Sequence, residues 1–65
     1  MTVRELGLKI QYHRKLKGMT LLDLANELGV YYTIVSRYEN GNIDIPASKL
    51  LKIFEVLGIE IDFKM

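Results

Sequence analysis

Sixty-five residues make one domain, and a chain of this size buries only about 60% of the surface its unfolded form exposes, which excludes a large enzyme cleft. With no cysteine and one histidine, disulfides and structural zinc are both excluded as staples, so stability must come from packed apolar side chains or from a partner subunit. A formal net charge of +1 does not by itself announce a nucleic-acid partner.

Thr2 and Glu5 have capping-box spacing, and Leu6, Ile10 and His13 recur at helical intervals, which predicts a first helix over about residues 3–17, ended by Gly18. Charge concentrates here: from Met1 to Gly18, Arg4, Lys9, Arg14, Lys15 and Lys17 stand against Glu5 alone, five minus one or +4, so the remainder carries −3. Thr20 and Asp23 repeat the capping pattern, and Leu24, Ala25 and Leu28 give a second helix over 20–28, stopped by Gly29. After a turn of only Gly29-Val30, a third helix is expected over 31–39, with Val30, Val35 and Tyr38 inward and Ser36, Arg37 and Glu39 outward or half-buried. Asn40-Gly41-Asn42 is turn chemistry. Pro46 suits the first turn of a fourth helix over 46–57, whose apolar stripe is Leu50, Ile53, Phe54 and Leu57.

Beyond Gly58, Ile59, Ile61, Phe63 and Met65 alternate with Glu60, Asp62 and Lys64, which predicts a strand over 59–65. A lone strand in a helical chain leaves backbone groups unpaired, so the expected partner is the same strand of a second copy, and the chain is expected to be a homodimer. The expected class is therefore all-α, four helices with a short C-terminal strand pairing across the dimer. Met1-Thr2-Val3-Arg4-Glu5 lacks the apolar core of a secretory signal and no run is long enough to span a membrane, so no membrane partner and a cytoplasmic location are expected. Asp23, Glu27 and Glu55 read as solvated helix residues. No catalytic constellation, metal-ligand set or cofactor motif can be assembled, and the chain is not expected to be an enzyme.

The segment Met19-Thr20-Leu21-Leu22-Asp23-Leu24-Ala25-Asn26-Glu27-Leu28-Gly29-Val30, followed by Val35-Ser36-Arg37-Tyr38-Glu39-Asn40-Gly41, resembles the lambda-repressor-like, or Xre-type, helix-turn-helix family over about Leu6 to Ile59. That family's pattern is L-T-x-x-x-L-A-x-x-x-G-V-x-x-x-x-I-S-x-x-E-N-G. The resemblance implies a four- or five-helix DNA-binding domain whose third helix enters the major groove. It places Tyr32, Thr33 and Arg37 at base edges, with Tyr31 and Ser36 beside them. Arg37 suits bidentate reading of guanine, and Thr33 suits a thymine methyl. Tyr31, Tyr32 and Ile34 are large and apolar for such a surface, which suggests contact with thymine or sugar; Ile34 fits the core equally well. Thr20, Asn40, Asn42 and Lys9 are the expected phosphate contacts, while Leu21 replaces a glutamine that in many relatives bonds the DNA backbone. Arg14 and Glu39 match a buried structural ion pair, and His13 falls at a packing position.

The tail, Leu57-Gly58-Ile59-Glu60-Ile61-Asp62-Phe63, with Arg4-Glu5-Leu6-Gly7, looks like the HipB-type antitoxins, which implies a dimer that represses its own operon from an inverted-repeat operator and holds a HipA-like kinase toxin. Leu8, Tyr12, Leu16 and Leu22 are candidates for an exposed partner-facing patch or the rim of the dimer. Three readings stand beside one another: an autoregulatory antitoxin, a stand-alone repressor of a phage or mobile element, and a protein-interaction module without DNA binding.

Overall fold

In the computed structural model, which describes residues 1–60, four helices follow one another: α1 (Val3–Leu16), α2 (Leu21–Leu28), α3 (Tyr32–Glu39) and α4 (Ala47–Leu57). Each starts where local chemistry ends an extended segment. Thr2 caps α1, its hydroxyl accepting from the Glu5 amide at 3.1 Å. At α2 the box is reciprocal: the Asp23 amide donates to Thr20 Oγ1 at 3.0 Å and the Thr20 amide donates to Asp23 Oδ2 at 2.9 Å, satisfying two amides the helix itself cannot. The expected helices at 20–28, 31–39 and 46–57 each begin one residue later than predicted. Thr20, Tyr31 and Pro46 have ψ of 169°, 148° and 143° and stand outside the helices as caps, so Pro46 precedes the first turn of α4 instead of sitting in it. The first helix likewise ends at Leu16, with Lys17 as its cap.

All four helices close in the same way. At α2 the Val30 amide reaches back to the Ala25 carbonyl at 3.1 Å while Gly29 turns left-handed at φ 69°, a paired closure that satisfies the terminal carbonyls and folds the next apolar residue onto the helix. The equivalent closure of α4 overturns the expected start of the strand. With Gly58 at φ 69°, the Ile59 amide donates to the Phe54 carbonyl at 2.9 Å, and the Ile59 side chain lies half-buried against the core. Period-two alternation counts Ile59 with the tail, but the closure assigns it to α4. Among the described residues there is no strand; Ile61, Phe63 and Met65 lie outside them.

Each helix contributes one large, fully buried side chain: Ile10, Leu24, Val35 and Ile53. Ala25, Leu28, Tyr38 and Leu57 complete the buried core, and Leu6, Met19, Leu21, Val30, Ile34, Ile43, Ile45, Leu50 and Phe54 pack partly buried around it. Helix α3 packs against both α1 and α2, and α4 against the same two. Gly7 is what lets α1 lie directly on the end of α3, because a Cβ built there falls 2.5 Å from the Glu39 carbonyl oxygen and closer still to that of Tyr38. The α4 residue Lys49 donates from Nζ to the Leu28 carbonyl at 3.0 Å, fastening α4 to the C-terminus of α2.

Candidate nucleic-acid interface

Helix α3 is held from behind and open in front. Its rear is Val35, Tyr38 and Glu39, all buried. Glu39, outward or half-buried by helical spacing but in a buried ion pair with Arg14 by the family resemblance, is only 3% exposed, because its carboxylate takes both arms of that guanidinium. Arg14 donates from Nε to Oε2 at 2.6 Å and from Nη2 to Oε1 at 3.0 Å, and its Nη1 reaches the Met19 carbonyl at 2.7 Å. One α1 side chain thus fixes the end of α3 and the turn leading into α2. Each nitrogen of the fork donates at least once, as burial of a charge requires, and among the described residues no buried side-chain nitrogen or oxygen lacks a partner.

The open face carries the first turn of α3. Tyr31 is 82% exposed and Tyr32 55%, and Thr33 and Arg37, one turn apart, are exposed beside them. Ser36 is half-buried and its Oγ accepts from Asn40 Nδ2 at 3.4 Å, joining two of the expected contacts on one side of the helix. Ile34 turns to the core, where it is half-buried, and leaves this face. Among the described residues no side chain caps the N-terminus of α3, whereas Thr2 and Thr20 cap α1 and α2. Backbone amides at an uncapped helix start suit an anionic oxygen.

Thr20 and Asn42 are exposed at the N-terminus of α2 and in the turn after α3. The Thr20 hydroxyl already accepts from Asp23, and the Asn42 amide donates to the Arg37 carbonyl at 3.0 Å, so the Thr20 oxygen and the Asn42 backbone are committed to local structure. The Thr20 amide donating to its carboxylate, and secondly the Thr20 side chain, lower the Asp23 carboxyl below its ordinary value. Lys9 is not brought to this face. It lines a depression between α1 and α4 with Met1, Leu6, Leu50, Phe54 and Ile59. His13 is half-buried, its ring edge-on to Tyr12 at 5.4 Å between centroids. The α1 stripe of Leu8, Tyr12 and Leu16 is exposed, as is Leu22, but Leu22 stands apart from that stripe and lines a cleft with Tyr31 and Tyr32.

Two contributors to this arrangement escaped sequence reasoning. Gly7, which sets the distance from α1 to α3, stands in the sequence only as part of the Arg4-Glu5-Leu6-Gly7 likeness, with nothing to mark its packing role. Leu22 reads in sequence as one of a partner-facing patch or dimer rim with Leu8, Tyr12 and Leu16, and its place beside α3 becomes visible only once the α2–α3 corner is folded. Among the described residues no group of three or more histidine, aspartate or glutamate side chains is placed to hold a metal ion, and no helix is long and apolar enough to cross a membrane.

The helix-turn-helix family model matches residues 10–64. Two curated proteins, each named an uncharacterized HTH-type transcriptional regulator, one from Sinorhizobium medicae (strain WSM419) and one from Rhizobium meliloti (strain 1021), are each 30% identical over 57 residues. The match covers 88% of this chain but 41% of each relative, so the chain spans less than half the length of the curated relatives it matches. With the capped α2, the glycine turn and the open α3 matched along most of its length, the chain belongs to the helix-turn-helix family of the lambda-repressor-like, Xre type.

Proposed function

We propose that this chain is a sequence-specific DNA-binding transcription regulator that acts as a repressor. The observation that carries the reading is the exposed first turn of α3, with Tyr31, Tyr32, Thr33 and Arg37 on one open face braced from behind by the Arg14–Glu39 pair. In helix-turn-helix domains the second helix of the motif lies in the major groove and its N-terminal residues meet base edges. Arg37 is the direct reader of guanine, a contact that discriminates by about 1–3 kcal/mol. Asn40 and Asn42 contact phosphate through their side-chain amides with Thr20, whose hydroxyl caps α2, beside them; Ser36 flanks the base-reading face, and Lys9, set back between α1 and α4, contributes only general attraction.

The reading includes a homodimer on an inverted repeat, with recognition helices about 34 Å apart so that both fall on one face of the duplex. The alternation of Ile61, Phe63 and Met65 with charged residues supports the dimer contact, because such a segment buries one face only against a partner. A specific observation also favours a second reading, that of an autoregulatory antitoxin with a kinase-like toxin partner: Leu8, Tyr12 and Leu16 form an exposed apolar stripe on α1, apart from the α3 face.

The test is enrichment of duplexes from a random-sequence pool, followed by affinity measurements over a range of salt. Arg37→Ala relaxes base preference at one position of the enriched sequence, whereas Lys9→Ala weakens all duplexes alike. Equal effects of the two substitutions refute this division of labour. Sedimentation of the chain lacking residues 61–65 reads the dimer: a shortened chain that stays dimeric refutes the tail contact.

A further inference from the structure

The exposed apolar side chains at the front of the motif surround one cleft. Leu22, 56% exposed on the second residue of α2, faces the cleft together with Tyr31 and Tyr32 of the α3 entry. Fully buried Ala25 and half-buried Val30 line it too, and Asn26 contributes an amide. Among the described residues no charged side chain lines it. Two elements therefore build an apolar recess beside the first turn of α3, the part of the motif that helix-turn-helix geometry brings to base edges.

What such a recess accepts follows from the chemistry of the major groove. The edges of guanine, adenine and cytosine present there only hydrogen-bonding groups, whereas thymine adds an apolar C5 methyl. Enclosing a donor or acceptor without a partner is costly, and enclosing a methyl is favourable. We propose that the Leu22–Tyr31–Tyr32 cleft reads the C5 methyl group of a pyrimidine: thymine in ordinary DNA, and 5-methylcytosine where cytosine is modified. The proposal rests on the DNA-binding reading above. It makes Leu22, from outside the reading helix, a determinant of specificity, and it makes binding at that position sensitive to the methylation state of cytosine.

The experiment takes a duplex enriched from a random pool and resynthesises it with each thymine in turn replaced by uracil, which removes the methyl and leaves the pairing edge unchanged. At the thymine facing the cleft, loss of one buried methyl weakens binding about fourfold. In Leu22→Ala, which trims an exposed side chain and leaves the core intact, the thymine and uracil duplexes bind alike, while Tyr32→Phe keeps the difference. Cytosine at the same position binds more tightly when methylated at C5. Equal binding of every uracil duplex by the unaltered chain overturns the proposal and leaves DNA binding standing, as does a uracil penalty that survives Leu22→Ala in full. A pool that enriches no duplex overturns the DNA-binding reading, and the cleft's assignment with it.

Discussion

Replacing Gly7 with alanine sets local propensity directly against packing. In an isolated helix the exchange stabilises by about 1 kcal/mol, since glycine is the poorer helix former. Here the new Cβ lies 2.5 Å from the Glu39 carbonyl oxygen and 2.8 Å from its carbon, with the Tyr38 oxygen closer still. An ordinary carbon–oxygen approach is about 3.3 Å, so α1 must withdraw from the end of α3 by about 0.8 Å. Both obstacles are backbone atoms of a helix and cannot rotate away as a side chain would. A gap of that size forfeits about a quarter to a half of the dispersion energy of the facing atoms, and Ile10 and Arg14 follow Gly7 on the same buried face. Overpacking costs about 1–3 kcal/mol, with two backbone clashes placing this site at the upper end. After the propensity gain, the net loss is about 2 kcal/mol, which lowers Tm by about 8–16 °C in a domain of this size. Urea unfolding followed by circular dichroism measures it, with an unchanged m-value showing that stability alone has moved. A Gly7→Ala chain as stable as the original, or more so, refutes the close approach of α1 to α3.

Glu39→Met leaves the Arg14 guanidinium buried without its carboxylate and costs about 3–5 kcal/mol; adding Arg14→Met recovers much of the loss, and a double variant no more stable than Glu39→Met sinks the account. Lys49→Met removes the Nζ bond to the Leu28 carbonyl and lowers stability by about 1 kcal/mol in the same urea assay; no change would mean that α4 is held to α2 by apolar contact alone. Asp23 supplies the pH dependence. Its carboxyl lies below the ordinary 3.8 in the folded chain, so its contribution is complete above that value and is lost as pH falls through the lower, folded pKa. Asp23→Asn, which cannot titrate, should therefore lose the acid dependence of this cap, and parallel stability profiles for the two chains below pH 3.8 contradict the assignment.

Much of this architecture is legible because its causes are local. The Thr20–Asp23 spacing is enough to start α2, since the two bonds of the box join residues three apart. A glycine after each apolar run marks where each helix ends, and helical periodicity singles out Ile10, Leu24, Val35 and Ile53 as inward-facing. Ends were missed by one residue where a cap and a first helical residue look alike in sequence. Ile59 was missed because alternation carries no record of the closure at Gly58, which returns that residue to the core.

The sequence by itself determined the four helices, their order and the helix-turn-helix pattern, since periodicity, caps and turn residues act between neighbours a few positions apart. Tertiary structure alone decided the remainder. It chose the core for Ile34, placed Lys9 between α1 and α4, and brought Leu22 to the tyrosines of α3. The physical reason is the same in each case. A side chain's burial and partners depend on which helix lies across from it, and that is set by close approaches such as Gly7 against Glu39, between residues 32 positions apart.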